Sequence, residues 1–349
     1  MAEPPLLAAF GQQNFFRDAF NYDRNHVFAW LETASKSGDE LTNKYLQDTL
    51  SKIKIVALPD GKRFKDPKLT PDSHFARTSN EEWKNKKWEG KEEERNREIS
   101  KFILNEWPNK FRRGPRDAGV QVPYWNPYDL LGYFFSVLGP APQAANKNNY
   151  FLPLTAVYAR WCAQIAGTAP KAYGYPEVSN PGAGNWPFMY QCTWWDDPAN
   201  PTKKWFFLGA SLGGDWWREP EVGTFSKVVQ KHRFDMLLKC SLAKIVKAGD
   251  FTQKTPEQRA GGNQNGYGSC AEGYPFAELM SSDKVKNTHL YGLALKRDFM
   301  RDPNLRNYIG TRDGVVWTNI AAPCRNCSAL IIKAGARPEQ FAETMGIPA

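Results

Sequence analysis

The sequence predicts an α/β fold, with an α+β fold as the alternative, from three observations. Apolar residues recur every three or four positions in several segments, which is the period of an amphipathic helix. Aromatic runs between 185 and 220 are bounded by Pro, Asn, Asp and Gly, which is typical of paired strands joined by loops. The segment 260–335 has patterns in the order helix, strand, strand, helix, with strands at 290–299 and 314–322.

The predicted helices are spread along the chain. A helical period covers 12–56, an apolar helix covers 149–167 and an amphipathic helix covers 225–249. Acidic and basic residues are mixed between 59 and 118, which predicts an exposed helix at 90–106 within a charged insert. This insert is expected to be a solvated face. The alternative is a basic, Trp-containing arm that contacts RNA.

The composition changes along the chain and predicts two regions. Residues 1–225 form a large, aromatic-rich region that contains helices and the charged insert at 59–118. Residues 226–349 form the second region, which contains the residues suited to chemistry. Five of the 13 Trp residues lie between 194 and 217. They predict core packing or, as the alternative, a stacking wall for a flat ligand.

The overall composition is that of a folded protein. The chain has 349 residues, of which 41% are hydrophobic and 24% are charged. It contains no apolar run of about 18 residues, so no membrane span is expected, and its start lacks the pattern of a secretory signal. We therefore expect a cytoplasmic, reducing environment. In that environment the six cysteines are thiols or metal ligands rather than disulfides.

The net charge of +9 indicates which partners the protein could attract. Such a balance attracts nucleic acid, phosphorylated substrates or anionic surfaces. RNA or tRNA is therefore one candidate partner. The alternative, which we favour, is a soluble protein with a basic surface that acts on a small-molecule substrate.

Two short motifs contain three of the six cysteines: Cys-Ala-Glu at 270–272 and Pro-Cys-x-x-Cys at 323–327. Cys324 and Cys327 are three positions apart, which places both side chains on one face of a first helical turn. The free N–H groups and the dipole of a helix N-terminus stabilise thiolates there. Cys270 precedes the other predicted helix in the same way. The three thiolates are therefore expected to meet at one cation.

Zinc is the expected cation, because sulfur-rich tetrahedral sites favour Zn²⁺. Three protein ligands leave the fourth position open for water, whose pKa then falls to about 7. Glu272 follows Cys270 by two residues and is expected to take a proton from that water and deliver it to a departing nitrogen. The motifs therefore predict a hydrolytic zinc site that releases ammonia.

The combination of Cys-Ala-Glu with Pro-Cys-x-x-Cys resembles the zinc site of the cytidine deaminase-like superfamily, over roughly the last ninety residues. The resemblance implies a three-layer α/β/α unit in which Cys270, Cys324 and Cys327 are the zinc ligands. It also implies that Glu272 is the proton shuttle and that Ala271 offers backbone groups to the substrate. The expected activity is zinc-dependent deamination of an amidine- or guanidine-type carbon in a nucleobase, a nucleoside or a guanidino compound.

Four further residues are candidates for substrate binding. The resemblance connects Asn263 and Asn265 with the sugar-binding stretch of nucleoside deaminases. Arg325 and Asn326 lie between two of the ligands and are therefore expected at the rim of the site. There they either contact the substrate or cap the turn.

Three alternatives compete with an open, hydrolytic site. His289 could complete a closed Cys₃His set, and closed zinc sites are structural. The protein could instead bind RNA or tRNA and use a deaminase-like fold for other chemistry, or it could be a non-enzymatic protein with a structural zinc. We favour the open site because Glu272 occupies the position that hydrolysis needs.

Overall fold

A computed structural model describes the chain in segments. Within them, no helix combines the length and the apolarity needed to cross a bilayer. The predicted helix at 90–106 lies outside the described residues. Most of the predicted helix at 225–249 does so as well, but residues 230 and 233–237 are described and helical. The described residues are 5–57, 124, 127–166, 187–199, 201–212, 230, 233–237, 268–280, 289–302, 305, 307–308 and 314–341.

The predicted helical segment at 12–56 is confirmed as three helices. Asp23 caps the second helix, since its carboxylate accepts a hydrogen bond from the His26 backbone N–H at 2.9 Å. Asp39 caps the third helix in the same way, through the Thr42 backbone N–H at 2.8 Å. The three helices are α1 (Phe15–Asp18), α2 (Arg24–Ala34) and α3 (Glu40–Ala57).

Two apolar helices, α4 (Pro127–Val137) and α5 (Leu152–Ala166), build much of the core. α5 confirms the helix predicted within 149–167, and nearly all of its residues are buried. Trp161 of α5 donates its indole N–H to the Ala19 carbonyl at 2.8 Å, and its ring lies 5.1 Å from that of Trp30. Aromatic packing therefore joins the N-terminal helices to α5.

One antiparallel sheet of five strands crosses the described part of the chain. Its strands are β1 (Ala141–Pro142), β2 (Met189–Asp196), β3 (Lys203–Ala210), β4 (Leu290–Lys296) and β5 (Ile320–Ala321). Their order in the sheet is β1-β3-β2-β4-β5, and every neighbouring pair is antiparallel. β2 and β3 confirm the paired strands predicted between 185 and 220, and β4 confirms the strand predicted at 290–299.

The strand predicted at 314–322 is wrong over most of its length. Val315–Thr318 forms a short helix, α7, and only β5 pairs with the sheet. The Thr318 hydroxyl donates to the Val315 carbonyl at 3.1 Å, and the Asn319 side-chain amide donates to the same carbonyl at 2.8 Å. These local hydrogen bonds favour a helical turn over an extended chain.

Helical segments cover both faces of the sheet. Successive residues of β2 point to opposite faces, so each set contacts a different layer of helices. The even-numbered residues of β2 face α5, where the ring of Tyr190 lies 5.7 Å from that of Tyr158. Trp194 stacks on Phe151, just before α5, with ring centroids 4.2 Å apart. The odd-numbered residues share the other face with Gly209 of β3, which lies against Pro275 of α6 (Gly273–Met280). This mixture of helices and sheet confirms the predicted α/β class.

The C-terminal region contributes strands to the same sheet as the N-terminal region. The two helices predicted within 260–335 are confirmed as α6 and α8 (Arg325–Lys333), and Gly335, with a φ of 81°, follows the end of α8. β2 and β3 lie before residue 225, whereas β4 and β5 lie after it. A division of the chain at residue 225 therefore crosses this sheet.

Candidate metal centre

The three predicted ligands lie together in the structure. The Sγ atoms of Cys270, Cys324 and Cys327 are all within 4.8 Å of one another, and the Sγ atoms of Cys270 and Cys324 are 3.7 Å apart. These two cysteines are separated by 54 residues in the chain, so tertiary folding brings them together. Three sulfur atoms at these distances can bind one metal ion.

The start of α8 supplies two of the three sulfurs. Cys324 precedes the helix with an extended backbone (φ −65°, ψ 165°), and its carbonyl accepts a hydrogen bond from the Ser328 N–H at 2.8 Å. Cys327 follows in the first turn, on the same side as Cys324, as their spacing predicts. The Ser328 hydroxyl also donates to the Pro323 carbonyl at 3.3 Å. The geometry of this pair is therefore set locally by one helix start.

The third sulfur comes from a turn before α6, residues 268–272, here called the Cys270 segment. Distant parts of the chain hold this segment through its backbone. The Ser269 carbonyl accepts a hydrogen bond from the Leu212 N–H at 2.9 Å, just beyond the end of β3. The Cys270 carbonyl accepts a hydrogen bond from Nη2 of Arg233 at 2.9 Å. Tertiary contacts therefore position this ligand.

Two glycines allow the Cys270 segment to lie close to its neighbours. A Cβ on Gly209 would lie 2.4 Å from the Ala271 carbonyl oxygen and 2.6 Å from Cδ of Pro275. Gly268 has a φ of 89°, and a Cβ there would lie 2.1 Å from the Gln230 carbonyl oxygen. A side chain at either glycine would displace the segment and the sulfur of its cysteine.

The three thiols differ in how readily they lose a proton. Hydrogen bonds donated by the Cys270 and Cys327 thiols hold the pKa of Cys324 well below its ordinary value, and the backbone N–H groups of Cys327 and Asn326 lower it further. The hydrogen bond to Cys324 raises the pKa of Cys270. Hydrogen bonds with the other two cysteines raise the pKa of Cys327. Without a metal, the cluster therefore consists of one thiolate and two thiols at neutral pH.

Glu272 lies beside the cluster, and it is only 7% exposed. Burial raises the pKa of its carboxyl group to about 7, and the negative charge of Cys324 contributes to the rise. The backbone N–H of Glu272, the contact with Cys327 and the positive charge of Arg233 act in the opposite direction. A buried carboxyl group with this pKa can accept and release a proton near neutral pH.

Among the residues that the structure describes, no His, Asp or Glu joins the three cysteines as a fourth ligand. His289, the candidate for a closed Cys₃His set, is therefore not part of the cluster, and neither is Glu272. Thiolate ligands favour soft and borderline cations. Among the described residues, the donor set thus consists of three sulfurs that could hold one metal ion.

The other predicted site residues lie in different places. Asn326 is buried at the start of α8 and is 3% exposed. Ala271 is buried as well, and its carbonyl oxygen lies against Gly209. Their contacts with a substrate stay predictions. Asn263, Asn265 and the side chain of Arg325 lie outside the described residues.

Two charged residues that support the Cys270 segment were not among the predicted site residues. Nη1 of Arg233 and Oδ2 of Asp129 form an ion pair at 3.3 Å, and neither side chain has any exposed surface. Asp129 is the only charged residue of the apolar helix α4, which is a sequence signal for a buried, partnered charge. Arg233 has no such signal, because its sequence neighbours include other charged residues.

Comparisons of the chain with protein-family models, with curated proteins and with solved structures find no match. The similarity to the deaminase superfamily therefore stays a prediction based on its two motifs. The chemistry of the site depends on the geometry of its own residues.

Proposed function

We propose that the protein is a zinc-dependent hydrolytic deaminase. Its substrate has an sp² carbon that bears an amino group and a C=N bond, as in a nucleobase, a nucleoside or a guanidino compound. One observation carries the proposal. Three cysteine sulfurs from two distant segments lie within 4.8 Å of one another, beside a buried glutamate that is not among them.

Zinc is the metal that fits this donor set best. Three sulfurs from protein side chains suit a tetrahedral Zn²⁺ site with one position left for a non-protein ligand. When bound in such a site, zinc activates water for attack at neutral pH. The absence of His289 from the cluster favours this open site over a closed, structural one.

Glu272 is the proposed proton carrier. It accepts a proton as the water oxygen bonds to the substrate carbon, and it passes this proton to the nitrogen of the C=N bond, which becomes an N–H. It then takes the proton of the new hydroxyl group and gives it to the amino nitrogen. The bond between the carbon and that nitrogen breaks, ammonia leaves and the carbon becomes a carbonyl. The burial of Glu272 supports this role, because a carboxylate shielded from bulk water exchanges its proton with the groups in the site.

The similarity to the cytidine deaminase-like superfamily is supported by how its two motifs lie in the fold. Cys-Ala-Glu comes just before α6, and Pro-Cys-x-x-Cys comes at the start of α8. Both motifs therefore lie at helix starts, as the similarity implies. Binding of RNA or tRNA stays a prediction based on the net charge.

The test is ammonia release by the full-length, zinc-loaded chain, measured with aminopyrimidines, aminopurines, their nucleosides and guanidino compounds. The variant Glu272→Gln should keep its zinc and lose about 10²- to 10⁴-fold in turnover, as expected when a general acid–base group is removed. Glu278, on the helix that follows Glu272, provides a matched control. It is buried and accepts the Tyr124 hydroxyl at 2.8 Å, so Glu278→Gln should keep its activity.

Two results would contradict the proposal. One is wild-type turnover in Glu272→Gln. The other is a zinc-loaded wild-type chain that releases no ammonia from any of these compound classes.

A further inference from the structure

We infer that Arg233 is a positioning residue that fixes the Cys270 ligand from behind, together with Asp129. This inference rests on the proposed function in one respect, that the three cysteines bind a metal. It assigns to a residue outside the two motifs a role in the metal affinity of the site.

The Arg233 guanidinium is bound on three sides. Nη2 donates to the Cys270 carbonyl at 2.9 Å and to the Ala210 carbonyl at 3.0 Å. Nη1 donates to Oδ2 of Asp129 at 3.3 Å. The side chain has no exposed surface, so all of these contacts are made away from bulk water. Hydrogen bonds from a charged donor in such surroundings are stronger than those between neutral groups.

Asp129 fixes the guanidinium relative to the sheet. Its other oxygen, Oδ1, accepts a hydrogen bond from the Ala210 N–H at 3.1 Å. Ala210 therefore gives its N–H to Asp129 and its carbonyl to Arg233. Because β1 pairs only with Lys203 and Lys204 of β3, the described sheet has no strand beside this end of β3. The ion pair satisfies the backbone groups that such a strand would bind.

The contacts of Arg233 connect three layers of the molecule. Asp129 lies on α4, Ala210 ends β3, and Cys270 precedes α6 on the other face of the sheet. The Tyr274 ring in the first turn of α6 also lies under the guanidinium, 5.3 Å from its carbon. One side chain thus fixes the metal-binding turn relative to the sheet and to the opposite helix layer.

Arginine suits this place, and lysine does not. The planar guanidinium reaches two carbonyls and a carboxylate from a rigid fork and stacks on an aromatic ring. A lysine ammonium is a single point and cannot reproduce the three directions. Arg233→Lys therefore keeps the charge that Asp129 needs and loses the geometry that holds the Cys270 carbonyl.

The experiment measures zinc affinity of the full-length chain without substrate, by competition with a chromophoric chelator. Loss of a group that orients a metal ligand lowers affinity about 10- to 100-fold, so we expect this loss in Arg233→Lys. Arg297→Lys is the matched control. Arg297 is also buried, but its guanidinium stacks on Phe188 at 3.6 Å, so this variant should keep the wild-type affinity.

A folded Arg233→Lys with wild-type zinc affinity would overturn the inference. If that variant does not fold, the zinc affinity of Asp129→Asn is measured instead. This variant removes the charge that orients Arg233 and keeps an oxygen that accepts the hydrogen bond from the Ala210 N–H. A fall in affinity supports the inference, and an unchanged affinity overturns it. A wild-type chain that binds zinc but releases no ammonia would contradict the proposed deaminase alone. A wild-type chain that binds no zinc would contradict both.

Discussion

The two halves of the cysteine cluster are built in different ways. Cys324 and Cys327 belong to one helix start, and their separation follows from a three-residue spacing. Cys270 belongs to a turn that is held by Leu212, by Arg233 and by contact with β3. The candidate metal site therefore combines a pair of sulfurs placed by local structure with a third sulfur whose position depends on tertiary structure. The two halves should therefore respond to different mutations.

The largest effect is expected when the pair itself is broken. Cys324→Ser removes the sulfur that both other thiols contact and leaves two thiolates, which is too few for a tight zinc site. Zinc content, measured by elemental analysis after gel filtration, should fall from about one per chain to near zero. A full zinc complement in this variant would show that Cys324 is not a zinc ligand.

The next largest effect is expected when the other half is displaced without loss of a ligand. Gly209→Ala places a Cβ against the Ala271 carbonyl and Pro275, and overpacking of this kind costs about 1–3 kcal/mol of stability. We expect a lower melting temperature and a zinc affinity reduced by about tenfold or more.

The matched control for this displacement lies in α6. A Cβ on Gly273 meets only Nη2 of Arg233, at the ordinary distance of 3.6 Å, so Gly273→Ala should be tolerated. Equal zinc affinity in Gly209→Ala and in the wild type would show that the position of the Cys270 segment does not matter for binding.

Proton release on zinc binding compares the two halves directly. The pKa of Cys324 is lowered, so this ligand is already a thiolate, whereas the raised pKa values keep Cys270 and Cys327 protonated. Zinc must displace both protons, and the water that it binds loses a further proton because its pKa falls to about 7. Affinity should therefore rise with pH, with about three protons released per zinc at pH 8. Calorimetry in two buffers of different ionisation enthalpy gives this number. Release of one proton, or of none, would contradict this description of the cluster.

The smallest effect on the metal is expected at the isolated thiols. Cys162 and Cys192 are completely buried, and burial raises the pKa of both. Both are small residues of the core. Cys192→Ala should cost about 1–2 kcal/mol of unfolding free energy, measured by denaturant titration, with zinc content unchanged. Loss of zinc in this variant would link the core cysteines to the site.

The sequence predicts the parts of the site that depend on local pattern. The structure confirms that Cys324 and Cys327 lie on one side of a helix start. It also confirms the helix after Cys270 and the strand predicted at 290–299. Each of these features depends on residues close together in the chain. The prediction of a strand at 314–322 is wrong. Hydrogen bonds from the side chains of Thr318 and Asn319 to the Val315 carbonyl favour a helical turn over the extended chain that the short apolar pattern predicts.

The support behind Cys270 could not be predicted from a linear pattern. Arg233 binds a carboxylate on α4, a carbonyl that ends β3 and a carbonyl that precedes α6, and only the folded chain brings these groups together. The role of Gly209 could not be predicted either. A glycine within a strand indicates that another part of the chain lies close to the backbone, but the sequence does not identify that part as Ala271 and Pro275.

The proposed function requires three sulfurs that bind one metal and leave one coordination position open for water. X-ray absorption at the zinc edge of the purified, full-length chain measures this coordination. We expect three sulfur ligands at about 2.3 Å and one oxygen ligand at about 2.0–2.2 Å. The oxygen ligand should be replaced by added azide or cyanide. Four protein ligands that resist exchange, or fewer than three sulfurs, would contradict the account.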